Sequence, residues 1–352
     1  MKTHYILACL VFFVLVSSSG FGVDGNQIAQ SNGPGYEITI NETHAFVSNN
    51  YGVAVYDIQD PAAPARLAQI SLGGEAEDVI VLGDILYIGA LSRGLVIANI
   101  SEDPTSPTIL TEYTLSDYVT RLCIQGNYAF ISSGYGEIQI IDISNPSDLG
   151  TLGHLTINEL TLDIAVHDDT VYLAQPFSGL KVINVSDLNS PQLLSLVSGT
   201  SGARDLHVQG DLLYVARGSS GVGIFDISDS TNPTVLGQFS DVGEAFGLHG
   251  DDQYLCIADL EDGVELIDIS DSESPVEVAH YDDAAPHDVI YREGYAYLAD
   301  QDEEFLLIDI ELSNTGTTTG ESTNPFQFIT TILVVTGVCA IVIIILIVLK
   351  KR

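Results

Sequence analysis

The chain has 352 residues, with 48 Asp and Glu against 11 Lys and Arg and a formal charge of −37. Such a balance repels nucleic acid and anionic lipid, because phosphate binding needs Lys and Arg to release counterions. No Cys-x-x-Cys-His haem site, phosphate-cradling Walker loop or Gly-x-Ser-x-Gly elbow occurs, so those chemistries drop out.

At the N-terminus Lys2 precedes an apolar stretch over residues 5–16 and then Ser17, Ser18, Ser19 and Gly20. This pattern predicts a secretory signal peptide over residues 1–20. The next segment, Asn26-Gln27-Ile28-Ala29-Gln30, resembles Ala65-Arg66-Leu67-Ala68-Gln69 further on.

Seven apolar runs then close in the same way, with Asp or Asn followed by Ile or Val. The closing residues are Asp57, Asn99, Asp142, Asn184, Asp226, Asp268 and Asp309, spaced by 42, 43, 42, 42, 42 and 41. In the fifth copy, runs over 204–208, 212–216 and 222–227 flank a Gly210-Asp211 turn and a Gly-Ser loop, and a fourth run follows Pro233. Turn residues between β-rich runs make a hairpin meander. Runs apolar on both parities fit sheets covered on both faces. A period in the 40s with four short strands per unit predicts an all-β, seven-bladed β-propeller of four-stranded antiparallel blades over residues 21–312. Copy seven has no fourth run, so residues 26–30 are expected to close that blade and cover its edge. The closing Asp or Asn and the Pro beyond it read as turn-capping punctuation. Cys123 and Cys256 fall in blades three and six, too far apart to pair, and are expected to be reduced. Asn41, in a hairpin turn before Thr43, is the glycan acceptor of choice.

The third strands read Leu95-Val96-Ile97-Ala98-Asn99, Leu180-Lys181-Val182-Ile183-Asn184, Leu266-Ile267-Asp268 and Leu306-Leu307-Ile308-Asp309. This pattern resembles the LVIVD-repeat family of propeller proteins over roughly residues 26–312. The resemblance implies a surface propeller and no catalytic residues. With no Trp in the chain, the tryptophan-bearing repeats of WD40, sialidase and quinoprotein propellers are excluded.

After the repeats, residues 313–325 are rich in Ser, Thr and Gly, as in a flexible stalk. Residues 326–349 carry no charge over 24 positions, enough at about 1.5 Å per residue to cross a core of about 30 Å as one transmembrane helix. Lys350, Lys351 and Arg352 form a cytoplasmic basic tail, over residues 350–352, by the positive-inside rule. The expected location is the cell membrane, single-pass, with the propeller extracellular and its partner a protein or glycan.

Two places where the copies disagree are candidate sites. The residues opening the first strand of each blade are Tyr36, Glu77, Thr120, Leu162, Arg204, Phe246 and His287, followed in register by Glu37, Asp78, Arg121, Asp163, Asp205, Gly247 and Asp288. Glu37, Glu77, Asp78, Arg121, Asp163, Arg204, Asp205, His287 and Asp288 therefore form the expected ligand-binding mouth of the channel. The plainer alternative is that its carboxylates hydrogen-bond loop amides, blade by blade. Loops in blades six and seven carry Asp259, Glu261, Asp262, Asp300 and Asp302, hard oxygen donors suited to Ca²⁺ or a merely solvated patch. His207 and His249 share a register column with Thr39, Ile80, Cys123, Ala165 and Ile290, and are assigned to packing. The expected function is a non-enzymatic binding or adhesion module working through its loop face. The alternative is a divalent-metal-dependent hydrolase or lactonase around Asp78, Asp163, Asp205 and Asp288.

Overall fold

The computed structural model describes residues 34–310, apart from Ser92, Ser116, Tyr135, Asp241, Val242, Glu261 and Asp283, together with the backbone of 329–337 and 340–348. The expected signal peptide (1–20), closing strand (26–30), stalk (313–325) and basic tail (350–352) lie outside the described residues.

Blade one runs Gly35–Ile40, His44–Asn49, Gly52–Asp57 and Ala65–Ser71, each strand antiparallel to the last. Five further four-stranded sheets repeat this meander. A seventh has three strands, Pro286–Arg292, Tyr295–Asp300 and Glu304–Asp309. The first strand of each blade lies against that of the next, and the seventh returns to the first. Seven apolar clusters fill the gaps between neighbouring blades. The middle strands supply both faces, so every residue of Val53-Ala54-Val55-Tyr56 is buried. The fourth strand carries a bulge at the same register in each of the six complete blades, for example between Val55 and Tyr56 and between Ile224 and Phe225. It bends away as the outer, half-solvated edge.

The closing residues cap turns as their chemistry suggests. Asp57, Asn99, Asp142, Asn184, Asp226 and Asp268 each accept the N–H two residues on, at 2.8–3.0 Å. Asn41 does the same for Thr43 and His44 at the tip of the first hairpin. Cys123 and Cys256 are unpaired with each other, as expected.

Ring closure depends on a departure from the repeat. Glycine in the left-handed region opens the third strand in four blades, at Gly52, Gly94, Gly179 and Gly263, and stands one residue ahead of it in blades three and five, at Gly136 and Gly221. Blade seven puts Glu304 there at φ 61°, a strained conformation for a residue with a Cβ. Its side chain, 1% exposed, crosses to blade one. Oε1 accepts from Asn49 Nδ2 at 2.9 Å and Oε2 accepts from Arg66 Nε at 3.0 Å and from the Tyr56 hydroxyl. Arg66 Nη2 also donates to Gln69 Oε1 at 2.6 Å. A charged, fully satisfied network thus ties the last blade to the first.

In the second unit, Ser313–Arg352, Ile329–Gly337 and Ala340–Val348 pair as an antiparallel hairpin. No described helix is long and apolar enough to cross a membrane, so the helix expected over 326–349 is not observed there. Ile, Val and Thr dominate both runs, and their branched Cβ atoms favour extended backbone.

Glu304→Gly restores the glycine of the other blades, so backbone strain is relieved while the lock is lost. Denaturant unfolding should show a loss of roughly 2–4 kcal/mol, allowing for the partial solvent access of Arg66. A variant as stable as the parent would remove Glu304 from the closure.

Candidate functional site

An innermost strand has no neighbour on its channel side, so alternate N–H groups along it lack a ladder partner. The carboxylates at the start of the first strands satisfy them across the blade boundary. Asp78 Oδ2 accepts from Leu122 N at 2.6 Å, Asp163 from Leu206 N at 2.9 Å and Asp205 from Leu248 N at 2.6 Å. Asp288 accepts from Ile38 N at 3.0 Å, closing the circle from blade seven to blade one. Three boundaries lack such a carboxylate. Blade one carries Glu37 and blade three Arg121, paired with each other at 2.7 Å. Blade six carries Gly247, where a Cβ would lie 2.8 Å from the His287 carbonyl oxygen.

At those three boundaries the column two residues further along the strand takes over. Thr39 Oγ1 accepts from Val81 N at 3.2 Å, Cys123 hydrogen-bonds the Val166 backbone, and His249 Nδ1 accepts from Tyr291 N at 3.2 Å. Blades two, four and seven, whose carboxylates already reach forward, have Ile80, Ala165 and Ile290 in that column. Blade five carries both Asp205 and His207, and His207 bonds the Gly250 backbone. Every boundary is thus stapled. Assigning His207 and His249 to packing alone overlooked this role; both are enclosed and neutral, burial pushing them down to about 3 and about 4.

All five channel carboxyls hold their protons more tightly than in water, Glu37 and Asp205 most of all. Burial, against the pull of Arg121 and the amide bonds, pushes Asp78, Asp163 and Asp288 up to about 6. Glu37 and Asp205 lie well above the ordinary carboxylate range, first through burial and then through neighbouring carboxylates. Asp205 hydrogen-bonds Asp163, and Glu37 hydrogen-bonds Asp288, so in each pair a protonated acid donates to a carboxylate. Burial works against the Arg121 charge, but Glu37, Asp78 and Asp163 hold it protonated.

Above this tier opens a cavity of about 260 Å³, bordered by Glu37, Glu77, Arg121, Arg204, Asp205, His287 and Asp288 together with Tyr36, Leu162, Phe246 and Gly247. Seven of the nine sequence-predicted residues meet there. Asp78 and Asp163 instead border a lower chamber of about 330 Å³, lined mostly by Ile, Leu and Val. Glu37, Asp205 and Asp288 border both spaces. At the mouth, Arg204 lies 4.5 Å over the Phe246 ring and donates to Glu244 at 3.1 Å. Phe246 and Tyr36 flank His287 at 5.7 and 6.3 Å, and His287 Nδ1 donates to the Gly35 carbonyl at 3.0 Å. Tyr36, its hydroxyl pushed up to about 12 by burial and Glu75, and Phe246 were visible in the strand-opening register but not singled out. Two aromatics in a column that is polar elsewhere but for Leu162 were the signal.

The acidic loops of blades six and seven do not gather in this way. Asp300 Oδ1 accepts from the N–H groups of Asp302 and Glu303, and Oδ2 accepts from that of Ala285. Asp259 is buried and Asp262 lies in its turn, while Glu261 lies outside the described residues. Among the described residues no group of three or more His, Cys, Asp or Glu side chains could hold a metal ion. Turn amides donate to both oxygens of Asp300 and to one oxygen of Asp259.

The LVIVD repeat model matches residues 73–114, 117–156, 161–198, 201–241, 243–283 and 286–318. No curated protein matches. Among solved structures, the RRP9 WD40 repeats are similar at TM-score 0.67 and 8% identity, over 82% of this chain and 98% of that one. The Cps50 (Swd1) β-propeller domain of Myceliophteria thermophila gives 0.63 and 10%, over 82% and 100%. The computationally designed Ika8 protein gives 0.60 and 12%, over 82% and 98%. At these identities the likeness is one of fold alone.

Asp205→Asn imitates the protonated acid, keeping an acceptor for Leu248 and a donor for Asp163. A carboxyl whose folded pKa is raised stabilises fully below its unfolded value near 4, and that stability is lost as pH rises through the folded value. The variant should therefore gain on the parent as pH climbs from 4 to 7, by at most about 1.4 kcal/mol per pH unit. Melting curves that differ by a constant amount at every pH would contradict the shared proton.

Proposed function

The chain belongs to the LVIVD repeat family, and from that premise we propose that it is a membrane-anchored, outward-facing binding or adhesion module. Its ligand, a protein or glycan, docks on the loop face and puts one group into the mouth. The observation that carries this reading is the division of labour in the channel. Carboxylates below are committed to backbone staples and shared protons, whereas the mouth presents Arg204, Phe246, His287, Tyr36 and Glu77 around about 260 Å³. Aromatic faces beside a guanidinium and carboxylates suit recognition of sugar rings or of protein side chains.

Anchoring is supported by the 24 uncharged positions before Lys350, Lys351 and Arg352. Inside a bilayer only a helix satisfies every N–H and C=O of a single such run within itself, so the span is proposed to be helical in lipid. The residues ahead of the repeats support export through a signal peptide over 1–20.

The second reading, a metal-dependent hydrolase or lactonase at Asp78, Asp163, Asp205 and Asp288, asks these groups to leave their amide partners. Proton-sharing pairs such as Asp163 with Asp205 are its one favourable observation. Arrays of surface proteins and glycans, probed with the purified protein, separate the two. Arg204→Ala with Phe246→Ala should weaken capture at least tenfold and leave melting nearly unchanged. Turnover of esters, lactones or glycans that disappears in Asp205→Asn with Asp288→Asn would instead establish the hydrolase.

A further inference from the structure

Glu265, on the third strand of blade six (Gly263–Asp268), is 1% exposed, and both carboxyl oxygens are enclosed without a hydrogen-bond partner. It stands opposite Ile257, which packs in the core shared with blade five. Asp259, two residues beyond Ile257 on the same face of its strand, is also 1% exposed. Two buried acids thus face the same boundary.

At this register position the other blades carry Ala54, Val96, Gln139, Lys181, Gly223 and Leu306, so only blades four and six place a charge there. In blade four the equivalent residue is Lys181, whose Nζ lies 3.0 Å from Glu159 Oε2 of the incoming linker. The equivalent of Glu159 in blade six is Gly243, and a Cβ added there would strike the Asp259 carboxyl. Asp259 therefore occupies the place of the linker acid, while Glu265 occupies the place of the lysine. Blade six thus brings two carboxyl groups to the boundary where blade four sets a carboxylate against an ammonium group.

Among the described residues no hydrogen bond or ion pair from a neighbouring base reaches either acid: Arg204 donates to Glu244, Arg217 to the carbonyl oxygens of Gly199 and Ser220, and His280, opposite Glu265 on the fourth strand, bonds the Asp262 carbonyl and lies against Glu277 and Asp282. Uncompensated buried charge is among the costliest features a fold can carry. We propose that Asp259 and Glu265 hold a calcium ion between blades five and six, the ion doing there what the Lys181 ammonium does in blade four. Two carboxylates give it charge, and backbone carbonyls and water complete the six to eight oxygens calcium takes. With only two acidic ligands, the site falls outside any arrangement of three or more such side chains.

Melting of the purified protein, first stripped with EDTA and then given CaCl₂, tests this. The parent should melt several degrees higher with calcium, since an ion that binds only the folded state stabilises it by mass action. Glu265→Gln should lose that rise, whereas Asp302→Asn, in an exposed loop, should keep it. Glu265→Lys rebuilds the blade-four pair with Asp259 as its acid; it should fold in EDTA, melt above the stripped parent and ignore calcium. A parent indifferent to millimolar calcium overturns the site. So does a Glu265→Gln variant that keeps the rise, or a Glu265→Lys variant that keeps it or fails to fold.

Discussion

The inner edge of each blade is the constraint on which the ring depends. Seven first strands line one channel, and each turns backbone N–H groups towards its neighbour with no strand to receive them. An unsatisfied buried amide costs about 1–3 kcal/mol, so seven boundaries left unserved would exhaust the stability of an ordinary domain. The chain serves each boundary once from a side chain of the preceding blade: Thr39, Asp78, Cys123, Asp163, Asp205, His249 and Asp288. His207 adds a second bond at one of them. The acidity of the channel follows from this, because an aspartate of the right length reaches the next strand and accepts its amide.

Gathering acids so closely sets the electrostatics of the channel. Arg121 neutralises part of the charge, and protons shared between Asp163 and Asp205 and between Glu37 and Asp288 neutralise more. The carboxylate tier is consequently a structural girdle, and the open chemistry lies above it. Glu304 applies the same logic to closure, where a residue under backbone strain joins blade seven to Asn49, Tyr56 and Arg66 of blade one.

Most of the scaffold could be read directly from residues. The spacing of the closing Asp and Asn residues gives seven blades, and their turn-capping role follows from local chemistry that acts within two positions. The mouth was legible for the same reason, since register alone brings Glu37, Glu77, Arg121, Arg204, Asp205, His287 and Asp288 to one end of the channel. Residues whose partners lie a blade away were harder to read. Thr39, Cys123 and His249 looked like irregular packing, because their meaning emerges only against the carboxylate column beside them: polar where that column fails and, in every blade but the fifth, apolar where it reaches. Glu304 gave no sign of its role in the sequence, since nothing local shows that its side chain crosses to residues some 250 positions away.

Each of the four channel aspartates serves an amide of the following blade, and site-resolved hydrogen exchange reads that bond. Replacing Asp78, Asp163, Asp205 or Asp288 by alanine, one at a time, should speed exchange at Leu122, Leu206, Leu248 or Ile38 respectively, by tenfold or more (about 1.4 kcal/mol or more of lost protection). Protection in the mutated blade itself should change far less. Exchange that rose mainly in the mutated blade, or equally around the ring, would contradict the staples.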